Sequence, residues 1–237
     1  MPTSKIILEI RKELKENADP KYKEGELNFF KEKIKTYGVR TLVSREISKE
    51  YFKKIKHLEK KKVFSFCEEL LRSEYIQEIG IAFRWAFKFK NQHEKKDFKT
   101  FERWLKKYIS NWANCDDFCT HNLGYFIVEF PEFIPEIKKW AKSKNRWVKR
   151  ASAVVFIYPV RRKKYLQHIF EIANILLIDK DDMVQKGYGW MLKEASNIYP
   201  KEVFSFVMKN KDKMPRTALR YAIEKYPDNL RKKAMQK

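Results

Sequence analysis

With 237 residues, 43% of them apolar and 15% aromatic, the chain has the bulk for a continuous core, which excludes a disordered polymer. Lysine and arginine number 53 against 31 aspartate and glutamate, and the resulting net charge of +22 calls for an anion. No run approaches the ~20 apolar residues of a membrane span.

The opening stretch MPTSKIILEIRKELKE reads as a charged helix without an apolar signal run, so the expected location is the cytoplasm, and the positive charge, for which nucleic acid is the leading anion, adds an expected association with the nucleoid. Apolar residues then recur at three- and four-residue steps, predicting helices over 6–14, 64–71, 76–89, 98–109, 133–140, 148–157, 165–177, 184–198, 203–208 and 218–226. Ser73, Asp181 and Asp182 are expected N-caps, since a short side-chain oxygen accepts a free amide of the first turn. Pro131, Pro200, Pro215 and Pro227 are expected at helix starts, where the missing N–H costs nothing. Six glycines and no Asn-Gly or Asp-Gly pair leave an antiparallel sheet without its turns.

The C-terminal half repeats itself. WVKRASAVVFIYP, MVQKGYGWMLKEASNIYP and MPRTALRYAIEKYP are three helices ending in Tyr-Pro, alternating with the partner helices PEFIPEIKKWAKS, RKKYLQHIFEIANILL and PKEVFSFVMKNK. The expected fold is therefore all-α, a HEAT-like helical-repeat solenoid forming a single domain, 1–237, with a concave basic face; an irregular helical bundle fits the uneven spacing as an alternative. Lys149, Arg150, Lys186, Arg216 and Arg220 fall on the second helices of the pairs, as a surface binding phosphates of double-stranded DNA needs. A membrane surface or an acidic protein would also satisfy the charge, and a lysine-rich surface from host composition would need no partner.

Few residues suggest chemistry. Gly-rich phosphate loops, HExxH, GxSxG and paired CxxC are missing, and His57, His93, His121 and His168 are scattered, as surface or helix-end residues are. Cys67, Cys115 and Cys119 read as small buried hydrophobes, and Cys115, Cys119 and His121 match no common zinc spacing, so neither metal nor cofactor is expected. The informative segment is Asn111 to Phe118, in which Trp112 and Asp116 stand one helical turn apart. An indole beside a carboxylate suits a cation with a π-system, such as an alkylated nucleobase. Spacing alone fits core tryptophans and a structural ion pair equally well.

Here the sequence resembles the alkylpurine DNA glycosylases built from HEAT-like repeats, the AlkD-like family, along nearly its whole length. Trp112, Asp116, Arg150 within Trp147-Val148-Lys149-Arg150, and Trp190 within Lys186-Gly187-Tyr188-Gly189-Trp190 match the residues that frame the damaged nucleotide in that family. The resemblance implies hydrolysis of the N-glycosidic bond of cationic N3- or N7-alkylated purines. Asp116 would stabilise the positive sugar, Arg150 would keep Asp116 ionised and contact phosphate, and Trp112 and Trp190 would pack against the nucleotide. It also implies a monomer with no obligate protein partner and no lyase step.

Two features depart from the family pattern. Ala113 stands where an acidic residue often follows the first Trp, and Asp117 beside Asp116 is a second candidate carboxylate. Where the family places an aromatic and an amide over the lesion, the chain offers Phe29 or Phe30 and then Arg40, which would repel a cationic base. The alternative is thus a paralogue that binds duplex or branched DNA without excising bases.

Overall fold

The computed structural model describes residues 4–236, so the first three residues of the expected opening helix lie outside them. The described residues are helical, with one isolated parallel bridge, Lys35 to Tyr75, as the only extended pairing among them. They gather into two compact units, one running to Asp117 and the other beginning at Phe118.

The first unit comprises α1 (Lys5–Glu16), α2 (Pro20–Phe29), α3 (Thr41–Ile55), α4 (Lys60–Leu71), α5 (Ile76–Lys88), α6 (Asp97–Tyr108) and nearly all of α7 (Trp112–Phe118). The stripe Ile7, Ile10 and Leu14 seats α1 against α3 and α4, and α5 packs on the same two helices. The non-helical stretch between α2 and α3 is held by the first turn of α5. The buried Glu78 carboxylate accepts from Arg11 at 3.0–3.1 Å and from the Tyr37 hydroxyl at 2.6 Å. The Gln77 amide accepts from Tyr37 N–H and donates to Thr36 Oγ1. Burial, then the bond to Glu78, push the Tyr37 hydroxyl well above its ordinary pKa. Gly38 has φ +78, and a Cβ there would fall 2.5 Å from that of Lys23, so only glycine turns the chain toward Arg40.

The second unit holds α8 (Gly124–Glu129), α9 (Ile134–Trp140), α10 (Arg146–Val154), α11 (Ile157–Val160), α12 (Leu166–Ile175), α13 (Asp182–Ser196), α14 (Pro200–Asn210), α15 (Arg216–Ala222) and α16 (Asp228–Met235). Here the expected pairs appear. α9 packs on α10 and α12 on α13, while α10 stacks on α13 and α13 on α15. The repeat extends to its caps: Asn145 accepts the amides of Trp147 and Val148, and Asp181 accepts those of Met183 and Val184. Arg146 ties the two starts together through Asp181 at 2.9 Å and Asp182 at 3.0 Å. The all-α, HEAT-like repeat fold is as the sequence implied.

Details differ. Pro200 and Pro227 stand at the starts of α14 and α16, as expected of them, the first as the opening helical residue and the second as the N-cap. These two Tyr-Pro pairs therefore lie beyond the ends of α13 and α15, whereas Tyr158-Pro159 falls within α11. Ser73 is not a cap: it accepts Tyr75 N–H and donates to Leu70 O in the turn before α5, whose N-cap position is Tyr75. His93, expected at a surface or helix end, closes a 3-10 turn but is buried at 8% exposure.

Candidate active site

The first unit brings the N-terminal candidates together. Phe29 ends α2 with 68% of its surface exposed, and Phe30 follows it. The Phe30 ring stacks on Trp112 with centroids 5.5 Å apart, and Phe29 meets the same indole edge-on at 5.8 Å. Trp112 opens α7, where the Asn111 side chain accepts the Asn114 amide at 2.9 Å. Asp116 lies one turn beyond Trp112 and is half-buried. The neighbouring stripe, Ala113 and Asp117, lines a cleft of about 840 Å³ with Phe29, Phe30 and Arg40. Arg40 donates to Asp19 at 3.3 Å and lies over the Tyr22 ring. The Tyr22 amide, then Arg40, hold the Asp19 carboxyl below its usual range.

The second unit carries the other candidates on α10, α13 and α15. Arg150 is buried, with its Nη1 donating to Met183 O at 2.5 Å; a Cβ at Gly187 would stand only 3.1 Å from Arg150 Cγ, so glycine there lets the arginine lie against α13. Trp190 is half-buried and donates through Nε1 to Glu194 at 2.9 Å. Burial raises the Glu194 carboxyl, but bonds from Arg161 and Trp190 outweigh it and hold the group low. Lys149 pairs with Asp179 at 2.8 Å and Lys186 with Asp182 at 3.4 Å. Arg216 donates to Met235 O, and Arg220 is exposed.

Of the six tryptophans, Trp85, Trp104, Trp140 and Trp147 are buried, whereas Trp112 and Trp190 are only partly buried. The two indoles singled out by resemblance are thus the two not consumed by the core. Periodicity missed Arg84 and Asn114, which also line the cleft. Arg84 had a signal: it is the single charge inside the run Ile79 to Phe87, where an unsolvated cation demands a purpose.

Stacked helix pairs with capped second helices define a protein of the α-helical repeat class. A family model described as DNA alkylation repair enzyme matches residues 10–226, and the chain belongs to that family. A structure from Enterococcus faecalis, described as a predicted DNA alkylation repair enzyme, superposes with a TM-score of 0.80 at 14% identity, covering 90% of this chain and 98% of its own. The structure of smu.31 from Streptococcus mutans gives 0.58 at 18% identity, covering 91% and 100%. At such identities the likeness shows the fold alone. Among curated proteins nothing matches the chain. No helix among the described residues is long and apolar enough to cross a membrane.

Proposed function

We propose that the protein is a monofunctional DNA glycosylase that releases cationic alkylated purines of the 3-methyladenine or 7-methylguanine type. It would act on double-stranded DNA as a monomer in the cytoplasm, without a cofactor, through one domain spanning 1–237. The observation that carries the reading is the pair of partly open tryptophans in a chain whose other four are buried, one of them a helical turn from Asp116.

In this reading Trp112 and Trp190 pack against the damaged nucleotide, with Phe29 extending the aromatic surface. An alkylated purine already carries positive charge and leaves without a general acid. As the bond breaks, the Asp116 carboxylate stabilises the sugar cation and orients a water toward it. Arg150 keeps that carboxylate ionised. Lys149, Lys186, Arg216 and Arg220 contact phosphates, the two lysines exchanging Asp179 and Asp182 for the strand. The test is release of methylated purine from alkylated duplex under saturating binding, with Asp116→Asn expected to lower the rate by about 100-fold or more. Asp117→Asn in parallel identifies the working carboxylate. No release by the wild-type protein sinks the reading.

One observation favours the second reading, a DNA binder that excises nothing. Arg40 shares the cleft with Phe29, and a cationic base approaching there meets a guanidinium. That reading predicts duplex binding with steep salt dependence and intact bases.

A further inference from the structure

Two residues that line the cleft of the first unit each carry a hydrogen-bond donor that the fold leaves unused. Arg84 Nη1 and Asn114 Nδ2 are both shielded from solvent, and neither has a hydrogen-bond partner. Asn114 as a whole is 6% exposed, so its amide is a buried polar group, and both residues line the same cavity. A buried donor without an acceptor costs about 1–3 kcal/mol, and folded proteins seldom keep two in one place without a use for them.

The surroundings specify the acceptor. Lys21, Arg45 and Arg84 line the cleft, and among the described residues none of the three forms an ion pair. Burial disfavours the charged form of Arg84; Asp117 opposes this, and Arg45 adds to it by like-charge repulsion. Glu26, the other carboxyl here, is itself pushed up by burial and is occupied by Thr36 and Gln77. Two guanidinium groups that repel each other, with an amide donor at the same cavity, suit one anion offering several oxygens. A nucleobase edge offers too few acceptors and no charge. The Arg84 guanidinium rests over Gly80, where a Cβ would stand 3.3 Å from Nη1, so glycine leaves room for it at the cleft wall.

We propose that this cleft grips one phosphate group of a DNA strand, with Arg84 and Asn114 as the inner donors and Arg45 and Lys21 beside them. The inference rests on the DNA-binding part of the function proposed above and adds a contact in the first unit to those expected in the second.

The experiment uses undamaged duplex in which a single neutral methylphosphonate replaces one phosphate, moved stepwise along a strand, with binding read by fluorescence anisotropy. Neutralising one particular phosphate is expected to weaken wild-type binding about tenfold and to leave Arg84→Gln binding unchanged. Against salt, the logarithmic slope of Arg84→Gln should be shallower by about one. If every methylphosphonate position affects the two proteins alike, or the slopes coincide, the contact is overturned. Should Arg84→Gln fail to fold, the exposed Arg45→Gln provides the same comparison, and Asn114→Ala, which removes no charge, provides its methylphosphonate arm alone. No base is released in this measurement, so glycosylase activity can fail with the contact intact, and the contact can fail in an active glycosylase.

Discussion

Phe30 lies flat against Trp112, with ring planes 23° from parallel, while the neighbouring Phe29 stands edge-on to the same indole. The stack fixes one indole face, and Trp112 as a whole is only partly buried. If that indole and Trp190 meet a nucleotide, adding duplex should quench their fluorescence, because a stacked base is a close quencher. The double variant Trp112→Phe, Trp190→Phe should keep the emission of the four buried tryptophans and lose most of the DNA-dependent change. Equal quenching in the wild-type and double-variant proteins would show that neither indole meets DNA.

His93 predicts a pH dependence. Burial drives its pKa from 6.5 to about 4, against smaller opposing effects from the Ala86 carbonyl and Asp97. In the unfolded chain the imidazole takes up its proton near 6.5; in the folded chain it stays neutral until about 4. The unfolded state therefore binds more protons across this window, so stability is complete above 6.5 and falls as pH drops toward 4. The loss is on the order of 3 kcal/mol. His93→Phe, placed among Phe64 and Phe101, should flatten this part of the profile in urea melts taken at several pH values. A variant profile parallel to wild type would assign the acid sensitivity elsewhere.

The repeat half was more legible than the first unit, and burial explains why. α10 and α13 bury broad apolar faces and start at side-chain caps, so spacing and capping residues point to the same elements. α2 buries none of its residues and has no stripe to detect. In α3 the buried face includes Ser44 and Ser48 beside Ile47, Tyr51 and Ile55, which breaks the apolar period. The site divides similarly. Trp112, Asp116, Arg150 and Trp190 were found through resemblance, whereas the gathering of Arg84, Arg45 and Asn114 depends on tertiary placement of α3, α5 and α7, which spacing does not report.

The duplicated caps are expected to contribute measurably to stability. Asp181→Ala removes the acceptor for the Met183 and Val184 amides and one of the two carboxylates paired with Arg146. Loss of the cap costs about 1 kcal/mol, and a chain of this length should melt roughly 2–4 °C lower. Asp181→Asn keeps an amide oxygen for the cap and gives up the charge, so it should recover most of the loss. If the alanine variant melts like wild type, the cap is not holding α13.

Arg150 has a structural task that must be separated from any role in chemistry. Its buried guanidinium donates to the Met183 carbonyl in the first turn of α13, and its stem lies against Gly187. Arg150→Ala leaves that carbonyl short of a donor and opens a void between α10 and α13, at a cost of about 2–4 kcal/mol. Lost base release in that variant would therefore mix unfolding with chemistry. Arg150→Lys keeps the charge and much of the stem but loses the planar fork that serves two partners at once. It should melt closer to wild type than the alanine variant. If Arg150 also holds the Asp116 carboxylate ionised, the lysine variant should retain excision with its acidic limb near that of wild type, whereas Arg150→Met, similar in length and uncharged, should move that limb to higher pH. Identical acidic limbs in wild type, lysine and methionine variants would confine Arg150 to packing.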